Sequence, residues 1–162
     1  MKKKFIILFL SYIILCFNSN IYAQTGKVPP FRMVQSDGKV FKAENLPMEK
    51  PILIIYFSPE CEECHALTKE LLSHIKVLQK ASIAMITYLP VETVKQYVTK
   101  NKLADYKNIF VGTEGNYLFV KDYYKIDQFP FMALYSKNGD LIKKYHSKEI
   151  NVDDMLLRLK SL

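Results

Sequence analysis

Residues 52–65 read ILIIYFSPECEECH, and this stretch decides the fold. The run 52–57 is apolar, β-branched and aromatic without alternation, the pattern of a short strand buried on both faces at the centre of a sheet. Ser58-Pro59-Glu60 ends the strand. From 61 to 80, Cys64, Leu67, Leu71, Ile75 and Leu78 recur at spacings of three and four, which predicts a helix with one buried face. Cys61 therefore stands where a strand gives way to a helix, and Cys64 stands one turn further on, on the apolar side.

That placement suits thiol chemistry. Thiol–disulfide exchange needs one thiolate to attack and a second thiol to resolve the mixed disulfide. A helix N-terminus offers unpaired N–H groups and the positive end of the dipole, both of which stabilise a thiolate. Cys64, facing inward, is placed to resolve. A ring closed over two intervening residues constrains the unfolded chain too little to staple a domain. The pair is therefore read as chemical rather than structural. The sequence has three cysteines in all.

Outward from this core, the chain alternates strands and helices. Before it, 31–35 and 40–42 flank Ser36-Asp37-Gly38-Lys39, where Asp-Gly signals a hairpin. After it come a strand over 83–89, a helix opening at Pro90 with Val91, Val94 and Val98 on one side, and a short strand over 109–111. Thr113 is read as the cap of a helix running to about Tyr124. Residues 131–136 and 141–146 flank Lys137-Asn138-Gly139-Asp140, a second hairpin. Asn151 caps a last helix whose stripe is Val152, Met155, Leu156 and Leu159, with Asp153 and Asp154 in its first turn and Arg158 and Lys160 in its last. Strands alternating with helices and closed by a hairpin predict an α/β fold, a sandwich around a mixed sheet.

The first residues read differently. Lys2, Lys3 and Lys4 precede a nearly unbroken apolar run over 5–17, then Asn18-Ser19-Asn20, and Ala23 before Gln24. This is the layout of a bacterial signal peptide over 1–23, cleaved near Ala23. The run is shorter than the ~20 residues a spanning helix needs, so a cleaved leader is preferred to an anchor. Leu15 before Cys16 lacks the small residue that precedes a lipidated cysteine. Residues 24–30 read as a linker and 31–162 as the domain. Loss of the three lysines would lower the formal charge from +7 to +4, too mild an excess to argue for nucleic acid. The expected location is periplasmic or otherwise exported, a compartment that permits disulfides.

These features together resemble the thioredoxin-like superfamily, and within it the exported TlpA/ResA-like branch. The resemblance spans roughly residues 28–160. It rests on Pro29-Pro30-Phe31, the Asp-Gly hairpin, the ILIIYF strand with Cys61-Glu62-Glu63-Cys64, Tyr124-Lys125-Ile126, Phe129-Pro130 before the strand at 131, and Asn138-Gly139-Asp140. It implies a thioredoxin-like three-layer sandwich with a mixed central sheet, an N-terminal hairpin and an inserted helix and strand between about 90 and 111. It implies that Pro130 is the cis-proline beside the cysteines and that Phe129 offers its backbone to the substrate chain; from the residues alone, Pro130 is a strand start. It also implies protein disulfides as substrates, a membrane redox partner as electron donor, and no cofactor or metal.

The chain departs from the family at several points. It has no Trp, and Glu60 stands where thioredoxins carry one before the first cysteine. Ile55 and Leu67 replace carboxylates, so no proton acceptor for Cys64 is named. Glu60, Glu62 and Glu63 crowd Cys61; negative charge there disfavours a thiolate and points to a reductant. The same acids equally suit a first helical turn. Two other readings use the motif as CEECH with His65: a c-type haem electron carrier, with Met85 or Met132 as axial ligand, and a copper or other metal chaperone. The haem reading conflicts with the several strands. A peroxiredoxin would have Thr where Ser58 stands.

Overall fold

The structure, a computed structural model, describes residues 26–47 and 49–162. The expected signal peptide over 1–23, with Cys16 and Ala23, lies outside them, as do the first two residues of the segment read as a linker. Seven strands form one mixed sheet in the order β2-β1-β5-β4-β3-β6-β7. They are β1 (Arg32–Gln35), β2 (Val40–Lys42), β3 (Ile52–Tyr56), β4 (Ser82–Thr87), β5 (Ile109–Thr113), β6 (Phe131–Tyr135) and β7 (Leu141–His146). Strands β3, β4 and β5 run parallel; β1, β6 and β7 are each antiparallel to a neighbour.

The five helices among the described residues are α1 (Glu62–Ser73), α2 (Ile75–Leu78), α3 (Val91–Lys100), α4 (Phe119–Tyr124) and α5 (Val152–Lys160). Strand β3 shows why the two faces differ. Its odd residues Leu53 and Ile55 join the core that takes Cys64, Leu67 and Leu71 from α1, Val94 and Tyr97 from α3, and Met155 and Leu159 from α5. Its even residues Ile52, Ile54 and Tyr56 join a second core with Phe31, Met33, Val120 and Tyr124. The sheet is thus the middle layer of a sandwich, with period-2 alternation sending side chains both ways. Each leucine fully buried in this way contributes about 1.5–3 kcal/mol.

Both hairpins form as read. At the first, Gly38 has φ +82°, a value its missing Cβ permits. The inserted α3 and β5 extend the parallel run beyond β4 and place their apolar sides on the α1 face. Where β5 passes β1, Gly112 is required for a different reason: a Cβ there would lie 2.8 Å from Met33 Cγ and from the Val34 carbonyl oxygen. Residues 26–30 lie against the second hairpin, with Val28 N–H donating to the Gly139 carbonyl and Leu141 N–H to that of Gly26.

Two expectations need correction. The helix read over 61–80 is interrupted at His74, whose ψ of 21° takes it out of the ladder; its N–H donates to the Leu71 carbonyl, three residues back, and Ser73 Oγ donates to the Glu70 carbonyl. The new direction of α2 carries Leu78 into the core beside α5. Thr113 is not a helix cap. It ends β5, and its Oγ1 accepts from Gly115 N–H. Leu118, at φ +48°, separates a 3-10 turn over Gly115–Tyr117 from α4. The acceptor at the start of α4 is Glu114, a buried carboxylate that takes Val120 N–H at 2.7 Å, Lys121 N–H at 3.3 Å and the Tyr56 hydroxyl at 2.7 Å.

On α5, Asn151 Oδ1 accepts from Asp154 N–H as expected. Asp154 Oδ2 in turn accepts from Arg158 Nε (3.0 Å), Lys143 Nζ (3.0 Å) and the Tyr145 hydroxyl (2.8 Å). These donors, Arg158 first, hold its carboxyl well below the usual carboxylate range. A depressed folded-state pKa contributes stability above the unfolded value, about 3.9, and loses it as pH falls through the folded one. An Asp154→Asn variant should therefore unfold at a lower temperature than the parent at pH 7. The gap should close in strong acid, as read by melting curves at stepped pH.

Candidate functional site

Parallel pairing of β3 and β4 puts their C-terminal ends at one end of the sheet, and β6, antiparallel to β3, begins there opposite Tyr56. The loop to α1, the loop after β4 and the Phe129-Pro130 step therefore converge. Ser58 turns the first of these loops: its carbonyl accepts from Cys61 N–H at 3.1 Å and its hydroxyl from Glu60 N–H at 3.3 Å. Cys61 is then the N-cap of α1.

Cys61 is half-buried and Cys64 is buried, and both are free thiols. The Cys61 sulfur accepts from the Cys64 amide at 3.2 Å and from the Cys64 thiol at 2.6 Å. The Cys61 thiol faces Glu63 Oε2 at 3.5 Å. Burial, and then the hydrogen bond to Cys61, pushes the Cys64 thiol well above its ordinary value. The arrangement keeps Cys64 protonated and donating to the more exposed sulfur. Of the three neighbouring glutamates, all exposed, Glu63 reaches Cys61; no hydrogen bond joins Glu60 or Glu62 to either sulfur.

The Phe129–Pro130 peptide bond is cis. Pro130 is buried and Phe129 half-buried, packed against both cores. The Phe129 carbonyl accepts from Ser147 Oγ at 3.0 Å, and its ring lies 5.8 Å from those of Tyr56 and Tyr88.

Several neighbours of the cysteines were not legible as such. Tyr97 of α3 packs on Phe57 and His65, with ring centroids 4.8 and 5.1 Å away. Its hydroxyl pairs with Thr68 Oγ1 at 2.7 Å and donates to the Cys64 carbonyl at 3.4 Å. Burial pushes its hydroxyl up to about 12. The one available signal was its place three residues after Val94 on the apolar side of α3. Tyr88 and Ser147, which meet Phe129 rather than the cysteines, gave none.

His65 is occupied elsewhere: its Nε2 is 2.9 Å from the Pro59 carbonyl, which can only accept, so Nε2 carries the proton. Met85 and Met132 are buried in the core on the α1 face. Among the described residues, no three His, Cys, Asp or Glu side chains cluster as metal ligands.

Comparison with solved structures returns close likenesses of shape. A secreted disulfide oxidoreductase from Mycobacterium tuberculosis has TM-score 0.66 at 18% identity, over 82% of this chain and 96% of that one. A thiol-disulfide oxidoreductase from Bacteroides fragilis has TM-score 0.68 at 16% identity, over 83% and 98%. A peroxidoxin from Mycobacterium tuberculosis has TM-score 0.70 at 11% identity, over 84% and 95%. Structures named for different chemistries share this shape, so at such identities the likeness is one of fold. A comparison with curated protein sequences gives no match. A family model described as a thioredoxin-like domain matches residues 25–156, nearly the whole of the described chain. With its mixed sheet, the cysteine pair at the start of α1 and this match, the chain belongs to the thioredoxin-like domain family.

Proposed function

We propose that this chain is an exported thiol–disulfide oxidoreductase of the TlpA/ResA-like branch, which reduces protein disulfides through Cys61 and Cys64. The observation that carries the reading is the pair of thiols in contact at 2.6 Å, one half-buried at a helix N-terminus and the other buried behind it. Cys61, as thiolate, attacks one sulfur of a substrate disulfide. That S–S bond breaks, one substrate thiolate leaves, and a mixed disulfide forms on Cys61. Cys64 then loses its proton and attacks the Cys61 sulfur, releasing the second thiolate. The protein is left oxidised by two electrons, and the substrate gains two electrons and two protons. A dithiol donor, for which the family resemblance suggests a membrane protein, restores the pair.

Burial supports this order. An outside disulfide meets Cys61 first, and the raised pKa of Cys64 holds it as a thiol until the mixed disulfide withdraws the sulfur it donates to. Phe129 and Pro130 form the facing wall of the substrate groove. Export is supported by the leader-like sequence over 1–23; among the described residues, no helix is long and apolar enough to cross a membrane.

The reading is tested by equilibrating the domain in graded dithiothreitol buffers and counting alkylated thiols by mass. A reversible two-electron transition near about −270 mV marks a reductase. A midpoint near about −120 mV marks an oxidant, and absence of a transition removes the proposal. Glu63 supplies a second expectation. Its carboxylate stands 3.5 Å from the Cys61 sulfur, and negative charges held that close repel each other. Unit charges about 4 Å apart in water interact by about 1 kcal/mol. Glu63→Gln should then speed iodoacetamide alkylation of Cys61 at neutral pH about five-fold in low salt, and less in high salt. An unchanged rate would leave the acids a helix-start role only.

A further inference from the structure

The helix inserted between β4 and β5 reaches the cysteines through one buried residue, Tyr97. Its ring lies against Phe57, just past the end of β3, and against His65, one residue beyond Cys64 on α1. His65 is itself fixed by Nε2 on the Pro59 carbonyl. The Tyr97 hydroxyl donates to the Cys64 carbonyl at 3.4 Å and pairs with Thr68 Oγ1 at 2.7 Å. A hydroxyl has one proton to give, so with Tyr97 donating to the carbonyl, Thr68 is the donor to Tyr97. All three residues are buried, and a buried hydroxyl is costly unless it is bonded. The peptide unit that Tyr97 holds is tied to Cys61 on its other side. His65 N–H donates to the Cys61 carbonyl at 3.2 Å, and Cys64 N–H to the Cys61 sulfur at 3.2 Å. Tyr97 thus grips the strand end, the helix start and the backbone of the buried cysteine at once.

We propose that Tyr97 is a positioning residue for the thiol pair: its hydroxyl fixes the Cys64 backbone so that the Cys64 sulfur stays within reach of Cys61. The inference rests on the oxidoreductase reading above. When the pair closes, each thiol gives up one proton and one electron, and one S–S bond forms; the outside disulfide that accepts them becomes two thiols. A dithiol that already holds its sulfurs in contact, here at 2.6 Å, loses little freedom on closing. Without the Tyr97 hydroxyl the dithiol form relaxes, whereas the disulfide form stays tied by its covalent bond. The oxidised form therefore suffers more from the loss than the reduced form does. The disulfide becomes less favoured against an outside dithiol, and the pair becomes easier to reduce. One hydrogen bond of ordinary strength sets the scale at about five-fold in that equilibrium.

The test compares the parent with Tyr97→Phe, which keeps the ring against Phe57 and His65 and removes only the hydroxyl. Each is equilibrated in graded mixtures of reduced and oxidised dithiothreitol, and alkylated thiols are counted by mass. The equilibrium constant for disulfide formation should fall about five-fold in Tyr97→Phe, a midpoint about 20 mV less negative. Thr68→Val, which removes the donor that orients the Tyr97 hydroxyl, should shift the midpoint in the same direction, and Thr68→Ser should keep the parent's value. Melting curves of both redox forms accompany the titration. A merely structural role for Tyr97 would lower the Tm of the oxidised and reduced forms alike and leave the midpoint where it was. An unchanged midpoint in Tyr97→Phe, or a shift to more negative values, overturns the positioning role alone. Absence of a reversible transition in the parent overturns the oxidoreductase reading and the positioning role with it.

Discussion

Incubated with a disulfide-linked pair of peptide strands, a Cys64→Ser variant should stop at a covalent adduct on Cys61, seen as a mass increase equal to one reduced peptide strand less two hydrogens. On the proposed mechanism, resolution in the parent is an intramolecular attack between sulfurs already in contact at 2.6 Å. Such pre-positioning is equivalent to an effective concentration far above any free thiol, so its loss should slow turnover by about 10³-fold or more. Serine is close to cysteine in size, so the core around residue 64 loses little. The converse variant, Cys61→Ser, should form no adduct, because the remaining thiol is buried and held protonated. An adduct on Cys64 in that variant would exchange the two roles.

The second large effect lies at Glu114, whose side chain takes no part in the exchange chemistry. The residue is 5% exposed, and its carboxylate accepts three hydrogen bonds, from the Tyr56 hydroxyl and the Val120 and Lys121 amides. Glu114→Ala would leave a buried hydroxyl and the first N–H groups of α4 without that acceptor. Hydrogen bonds to charged groups are worth about 1.5–3 kcal/mol each, and stranded buried donors add to the cost. We expect a loss of about 3 kcal/mol or more, a fall in Tm of about 10 °C for a domain of this size. Glu114→Gln keeps one oxygen to accept and should lose about 1 kcal/mol. Melting curves followed by circular dichroism would separate the three proteins. A Glu114→Ala variant as stable as the parent would show that water replaces the carboxylate. Because Tyr56 also supports Phe129, the destabilised variant should bind peptide less tightly as well.

Glu114 also shows where sequence reading stopped. A glutamate beside Thr113 looks like any loop acid; its value as a cap depends on Tyr56, 58 positions earlier, and on the left-handed turn at Leu118 that aims α4 at it. The interruption at His74 was hidden for a related reason. Leu71, Ile75 and Leu78 keep helical spacing across the break, and periodicity records which residues face the core, not whether the axis bends. By contrast, the cysteine pair, the buried β3 strand, both hairpins and the Asn151 cap follow from short-range chemistry, which neighbouring residues carry in full. The environment of the cysteines was legible only along α1. Tyr97 and Ser147 arrive from 33 and 18 positions away, respectively, from the backbone groups they hold at Cys64 and Phe129, and local pattern contains no record of such pairs.

The two ends of the sheet order carry a consequence for the protein in bulk. On one side β2 offers only three residues; on the other, β7 carries Lys143 and Lys144, a register shift opposite Leu134 and Tyr135, and a start already paired to residues 26–27. Short length, positive charge, irregular register and covered backbone each discourage a further strand from adding. The sheet is therefore closed to growth, and concentrated solutions of the oxidised or reduced domain should resist fibril formation and stay dispersed.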